Sequence, residues 1–300
     1  MLNIALICGE NYESNIWQCN NGWHHYGFWK KALEEHSDIN IACWYPWSHW
    51  RQMPTTGNGI DLYFFLDFRY DLWKLNDFDF HPRILYWWDA FHHMFSLVAQ
   101  IPLVFDKVYN AEYIDTEHLN MCGFKNVEWL PGAFYPGLYR PLDLPKIHDF
   151  GFVGQQDDNV IRKSLTRKRQ LDILAKSFKG IATKDVIGPP VNEIYNKSKI
   201  LVERSIFANI GTRLFETTGS GGFSLINRYP CQNGIDELGI DGKHFVTYDE
   251  SLDDLMDKMK YYLDHDDERE KIAKEGCDHF INNHTYKHRI DKIIKDFTNG

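Results

Sequence analysis

Short apolar runs separated by helical segments recur along this chain, and no other feature narrows its possible folds as much. Leu2–Cys8 is continuous apolar sequence ending at Gly9. Ile39–Trp44, Asp61–Leu66 (DLYFFL), Arg83–Trp88 (RILYWW), Lys107–Asn110 and Val127–Leu130 repeat the pattern. Runs without polar alternation suit strands buried on both faces, as in a parallel sheet covered by helices. Tyr26–Glu35, with Trp29, Leu33 and His36 at helical spacing, and Glu112–Met121 supply helices between strands. The rhythm predicts a doubly wound α/β domain.

From Pro131 to Lys146 the chain reads PGAFYPGLYRPLDLPK, which can hold neither a long helix nor a central strand. It reads as an interdomain linker closing a first domain over residues 1–145. The α/β rhythm then restarts at Asp149–Gly154 (DFGFVG). A basic stretch, Arg162 to Arg169, leads into a helix through Leu171 and Leu174. Lys184–Ile187 is expected as a strand, Tyr195–Ile200 as a short helix, and the next strand lies around Ile200–Arg204. Arg213–Thr218 is helical and Gly222–Ile226 a strand. Ser251–Leu263 carries Leu252, Leu255, Met256, Met259, Tyr262 and Leu263 on one face, with Ser251 as N-cap. Glu268–Phe280 and Tyr286–Phe297 are two more helices. A chain of 300 residues can bury two medium cores, so two α/β domains fit its length.

Composition excludes several classes. Six scattered cysteines, none in CxxC spacing, argue against zinc, and no metal-ligand set is expected. No apolar run approaches 18 residues, so no membrane span is expected. MLNIALICGE lacks a basic leader and is too short an apolar run for a signal peptide. A cytoplasmic, reduced protein is the simplest reading. The net charge is -9, and residues 1–145 hold nine basic against seventeen acidic side chains. That acidic half repels phosphate backbones and works against nucleic-acid binding. All ten tryptophans precede residue 130; such residues fill cores and also line clefts that hold sugars or bases.

The most informative segment is GTRLFETTGSGGFSLIN, Gly211 to Asn227. A helix with a carboxylate runs into Gly219, Gly221 and Gly222, and a strand follows. Glycine lets backbone amides approach a ligand without a Cβ clash. A nearby helix N-terminus offers unpaired N–H groups to a diphosphate, and Glu216 can accept two hydrogen bonds from a ribose diol. A plain helix-to-strand turn is the alternative reading of the same glycines. The cluster Arg162, Lys163, Arg167, Lys168, Arg169 follows the Gly154 turn. It reads either as a solvated helix face or as the counter-charge for a leaving diphosphate, with Arg162 and Arg169 preferred. A nucleic-acid contact is a third use of the same charges.

RLFETTGSGGFSLI resembles the R-x-F-E-x-x-x-x-G-G signature of the CgeB-like glycosyltransferases of the GT-B superfamily. HDFGFVG (His148–Gly154), VEWLPGAFYPGLYRPL (Val127–Leu142) and the closing segment His244–Ile290, with H-T-Y-x-x-R at His284, Thr285, Tyr286 and Arg289, resemble further family stretches in order. The similarity covers residues 127–298 and is loose before that. It implies two Rossmann-like domains facing a central cleft, with the donor domain over 146–283. The C-terminal helix, 284–300, would cross back to the first domain, pinned by Tyr286 and Arg289. It implies a metal-independent transferase, moving a hexose or pentose from a nucleoside-diphosphate sugar, a co-substrate rather than a bound cofactor. Glu216 would hold the ribose, Gly221 and Gly222 would admit the diphosphate, and Arg213 would stand near phosphate or brace the loop; Gly154 and Phe223 complete the donor set. Many retaining members place a second glutamate eight positions earlier. Here that position is Ala208, which leaves retention and inversion both open.

Transfer to a hydroxyl benefits from a base. Asp89, at the end of the RILYWW strand, is one candidate, with an N-cap role as its alternative. His24 and His25 are others; Asp67 and Asp71, after DLYFFL, are weaker. The acceptor is left open: a glycan, a protein, a small molecule, or a hydroxymethylated base in DNA, which the aromatic residues could hold flipped out. Two further readings are a nucleotide-sugar epimerase of GT-B fold and a noncatalytic sugar- or nucleotide-binding module. Oligomeric state has no signature in the sequence.

Overall fold

The computed structural model describes residues 1–8, 24–67, 72–88, 100–156, 167–205, 209–229 and 233–299, with the side chains of 24, 25 and 299 excluded. The chain divides into two compact units, Met1–Gly132 with Tyr286–Gly300, and Ala133–Thr285.

Unit 1 holds β1 (Leu2–Cys8), α1 (His24–Glu34), β2 (Ile39–Pro46), β3 (Leu62–Leu66), β4 (Arg83–Trp87), α2 (Ile101–Val104), β5 (Lys107–Asn110), α3 (Tyr113–Met121) and β6 (Val127–Trp129). The strands form one sheet in the order β2-β1-β3-β4-β5-β6, and every pairing is parallel. β3 and β4 are buried along their whole length, which is why their sequences show no polar alternation.

Unit 2 holds β7 (His148–Val153), α4 (Arg167–Ser177), β8 (Gly180–Thr183), α5 (Pro189–Lys197), β9 (Ser198–Glu203), α6 (Thr212–Gly219), β10 (Phe223–Asn227), α7 (Ile235–Leu238), β11 (Val246–Tyr248), α8 (Leu252–Asp264) and α9 (Asp266–Asn283). Its sheet is also wholly parallel, in the order β11-β10-β9-β7-β8. Phe150, Phe152, Ile200, Val202, Phe223 and Leu225 form its core with Leu171 and Leu174 of α4 and Leu255 and Met259 of α8. The Ser251 hydroxyl accepts from the Asp254 amide, as an N-cap does.

Two local expectations fail. The strand expected at Lys184–Ile187 lies four residues earlier, because Gly151 and Phe152 of β7 pair with Ile181 and Ala182. Beyond it Thr183 Oγ1 accepts from the Asp185 amide, closing a turn. The helix expected over Tyr195–Ile200 ends at Lys197, and Ser198 already pairs with His148. Its start had no apolar signature, but Gly188 at φ 73 with Pro189 and Pro190 behind it sets the first turn.

The final helix, α10 (Tyr286–Asn299), belongs to unit 1. Tyr286 packs on Phe28 and Trp29 of α1. Arg289 is buried and donates to the carbonyls of Pro131 and Gly132. The Pro/Gly-rich segment is anchored rather than loose. Asn192 and Asn196 of α5 both donate to the Arg140 carbonyl, and their own Oδ1 atoms accept from the Arg140 and Leu142 amides.

Candidate functional site

In open parallel sheets, ligands bind outside the carboxyl ends of the strands where the strand order reverses. In unit 2 that point lies between β7 and β9, and Arg213 occupies it. Projecting from the first turn of α6, its Nε donates to the Val153 carbonyl at 2.7 Å. Nη1 reaches both carboxylate oxygens of Glu203 at 2.8 Å. The guanidinium lies 4.3 Å from the centre of the Phe152 ring. Arg213 thus ties the end of β7 to the end of β9. Gly154 stands beside it at φ +139, and a Cβ there would come within 2.3 Å of Arg213 Nη2. Glycine is needed at that turn on both counts.

The Glu203 side chain is only 2% exposed, so Arg213 chiefly neutralises a buried carboxylate. Glu216 sits one turn further along α6. It is buried, and its Oε2 accepts from the Tyr195 hydroxyl at the long distance of 3.5 Å. Burial pushes the Glu216 carboxyl up to about 7, despite the opposing effects of Arg213, Tyr139 and Tyr195. Tyr139 and Tyr195 lie face to face with centroids 6.2 Å apart. The result is a carboxyl group that exchanges its proton near neutrality, walled by two phenols and an ion pair.

Arg167 was passed over in favour of its neighbours, yet it is buried, whereas the other described members of the basic cluster, Lys168 and Arg169, are exposed. Its Nε and Nη2 donate to the Arg204 carbonyl at 3.0 and 2.6 Å, and Nη1 donates to Gln155 at 2.8 Å. It is a second clasp across β7 and β9. The signal was present: Arg167, Leu171 and Leu174 fall on one helical face, whereas Arg169 turns outward and is exposed. Glu203, Tyr139 and Tyr195 were also missed, because nothing local marks them. Arg162 and Ala208 lie outside the described residues.

The structure does not bring Gly221, Gly222 and Phe223 to this edge. α6 starts near the carboxyl ends of the strands and runs back, so these residues precede or open β10 at its amino end. Packing accounts for the glycines there. A Cβ on Gly222 would come 2.1 Å from Leu201 Cδ1 and 2.9 Å from the Thr217 carbonyl. Gly221 adopts φ +76 against Pro141. Phe223 is buried, 4.6 Å from the Tyr262 ring.

In unit 1 the order reverses between β1 and β3. Asp67, just past β3, is fully buried and holds φ 50, a left-handed conformation uncommon outside glycine. The Tyr26 hydroxyl donates to its Oδ2 at 3.1 Å, and Trp88 packs against Tyr26 in a tilted arrangement with centroids 4.9 Å apart. His24 and His25 open α1, but their side chains are outside the described set, as are Asp89 and Asp71. Among the described residues, no group of three or more His, Cys, Asp or Glu side chains could hold a metal ion. No described helix is long and apolar enough to cross a membrane.

No curated protein matches the chain. Among solved structures, sucrose-phosphate synthase from Thermosynechococcus elongatus superposes with a TM-score of 0.68 at 11% identity, covering 100% of this chain and 99% of that one. HepE of Anabaena, in complex with UDP and glucose, gives 0.66 at 9% identity over 100% of both chains. An alpha-glucosyltransferase in complex with UDP and a 13-mer DNA containing an HMU base gives 0.65 at 8% identity over 99% of both. Residues 161–295, which contain Arg213 and Glu216, match the family model described as glycosyl transferase-like. With its two parallel sheets, this chain has the α/β fold of the GT-B glycosyltransferases, and its second half carries sequence similar to the glycosyl transferase-like family.

Proposed function

We propose that the protein is a glycosyltransferase that moves a sugar from a nucleoside diphosphate, UDP in the first instance, to an acceptor hydroxyl. The observation that carries this reading is the meeting of Gly154, Arg213 and Glu216 at the switch point of the unit 2 sheet, with Arg213 and Glu216 inside the segment similar to glycosyl transferase-like proteins. UDP is preferred because both HepE and the DNA-bound alpha-glucosyltransferase were solved with it. The subfamily reading, CgeB-like, rests on the motifs alone.

In this reading Glu216, when ionised, accepts hydrogen bonds from the ribose hydroxyls. The amides opening α6 face the diphosphate. Arg213, already paired with Glu203, braces the loop, and Arg162 and Arg169 offset the charge of the departing diphosphate. The bond from the sugar anomeric carbon to the diphosphate oxygen breaks, and a bond to the acceptor oxygen forms. The acceptor proton passes to a base, with Asp89, His24 and His25 as candidates. Side-chain cations do the neutralising, so activity should persist in EDTA.

A panel of nucleoside diphosphates in a thermal-shift assay tests the reading, because a ligand of the folded state stabilises it by mass action. UDP should raise the melting temperature, and Glu216→Ala should lose that rise. If no nucleotide in the panel stabilises the protein, the proposal is wrong. Transfer to a hydroxymethylated base is a second reading, favoured by the DNA-bound neighbour and opposed by the acidic first half. Retention on duplex DNA carrying that base at low salt separates the two.

A further inference from the structure

Unit 2 has a cavity of about 350 Å³ at the edge of its sheet opposite Arg213. Lys199 at the start of β9, Phe223 at the start of β10, and Arg269 and Ala273 of α9 contribute to its wall, together with Lys146 and Pro141 from the segment before β7. β9 is six residues long, so this edge lies about 20 Å from the switch point. The volume is within the range of small-molecule sites.

The charges in the wall are unequally matched. Lys274 pairs with Asp278 at 2.5 Å. Arg269 is buried and donates to the Tyr262 carbonyl and to Asp266, with Glu270 at 4.0 Å. Lys146 and Lys199 have no side-chain ion pair or hydrogen bond among the described residues. Two ammonium groups without a direct side-chain partner among the described residues thus stand beside a buried guanidinium, over an apolar floor of Phe223, Ala273 and Pro141, with Glu270 and Asp278 as the acidic lining residues. The wall holds four basic side chains against two acidic ones, and an anion between the cations in excess offsets their mutual repulsion. The apolar floor adds a gain for a ligand with a hydrophobic body.

We propose that this cavity binds a small organic anion, a phosphate or carboxylate group carried on an apolar ring or chain, at a site separate from that of the nucleotide. Lys146 and Lys199 hold the anionic group, and Phe223 and Ala273 cover the apolar part. The inference does not depend on the transferase reading.

Phenyl phosphate, benzoate and inorganic phosphate, titrated by calorimetry into the full chain, provide the test. Phenyl phosphate should bind saturably with Kd on the order of 1 mM or tighter, and inorganic phosphate severalfold more weakly. A stronger response to benzoate would mark a carboxylate site within the same proposal. The double variant Lys146→Met, Lys199→Met keeps the apolar stems and removes both charges. It should weaken phenyl phosphate at least tenfold while leaving the UDP-induced thermal shift intact. Glu216→Gln should leave phenyl phosphate binding unchanged. Absence of saturable binding by all three probes, an unaffected double variant, or full displacement by UDP would each overturn the assignment.

Discussion

Glu216 illustrates how burial sets the chemistry of a single residue. Its carboxyl is raised from 4.5 to about 7 by desolvation, ahead of the opposing pull of Arg213. The native state therefore keeps a proton that the unfolded chain releases, and stability from this group declines as pH rises between those values. Melting curves of Glu216→Gln and the parent should show the variant gaining relative stability at pH 8 compared with pH 5. The same substitution should weaken UDP by about 1.5–3 kcal/mol, the scale of a hydrogen bond to a charged group. If Glu216 holds the ribose as proposed, parent affinity should rise with pH through about 7 and then level off, because a protonated carboxyl could not accept from both ribose hydroxyls. Arg213→Ala strands the buried Glu203 carboxylate and should cost about 3–5 kcal/mol. Adding Glu203→Gln should restore much of the loss in chemical denaturation.

At the scale of elements, α6 decides what each glycine is for. Gly154 faces the Arg213 guanidinium, whereas Gly222 lets β10 close against Leu201. Gly222→Ala should therefore cost on the order of 1–3 kcal/mol through overpacking. Its folded fraction should bind UDP with unchanged Kd, a result that a diphosphate contact at Gly222 would not allow. Three histidines join the short α7 to the end of α9. His244 and His279 stack at 4.1 Å, and His279 and His284 both meet the Leu238 carbonyl at 2.9 Å. Burial first, and then the neighbouring His279, lower the His244 pKa. The unfolded chain takes up the His244 proton more readily than the native one, so stability falls as pH drops below about 6.5. His244→Asn, which can still accept from the Ile240 amide, should lose less thermal stability between pH 7 and pH 5 than the parent.

For the whole molecule, the final helix makes the first unit discontinuous in sequence. Tyr286, Ile290 and Ile293 are buried, and Asp296 accepts from the Tyr109 hydroxyl of β5. Tyr286→Ala should cost about 3–5 kcal/mol, as for other large aromatic core residues. Circular dichroism melts should show the loss in the parent background with and without UDP. Stopping the chain before Tyr286 should expose Phe28 and Trp29 and cause aggregation, visible by light scattering.

Apolar runs without alternation announced two parallel sheets before any tertiary information, because strands covered on both faces leave no room for polar side chains. Gly154, Arg213 and Glu216 were legible as candidates as well, Glu216 from its place before the glycines, Gly154 from the end of its strand, and Arg213 through the family resemblance. The partners that give them their properties were not. Glu203, Tyr139 and Tyr195 are scattered along the chain and carry no local signal. Burial is a property of the packed neighbourhood, and it is the main cause that raises the Glu216 pKa, with the Glu203 charge adding to it. Strand polarity is equally non-local: Gly221 and Gly222 adjoin the Glu216 helix in sequence, yet α6 carries them to the opposite edge of the sheet. The sequence by itself determined the α/β architecture and the chemical types available to the site. Only the tertiary structure decided which of those residues meet, because a parallel sheet sends consecutive loops to opposite edges.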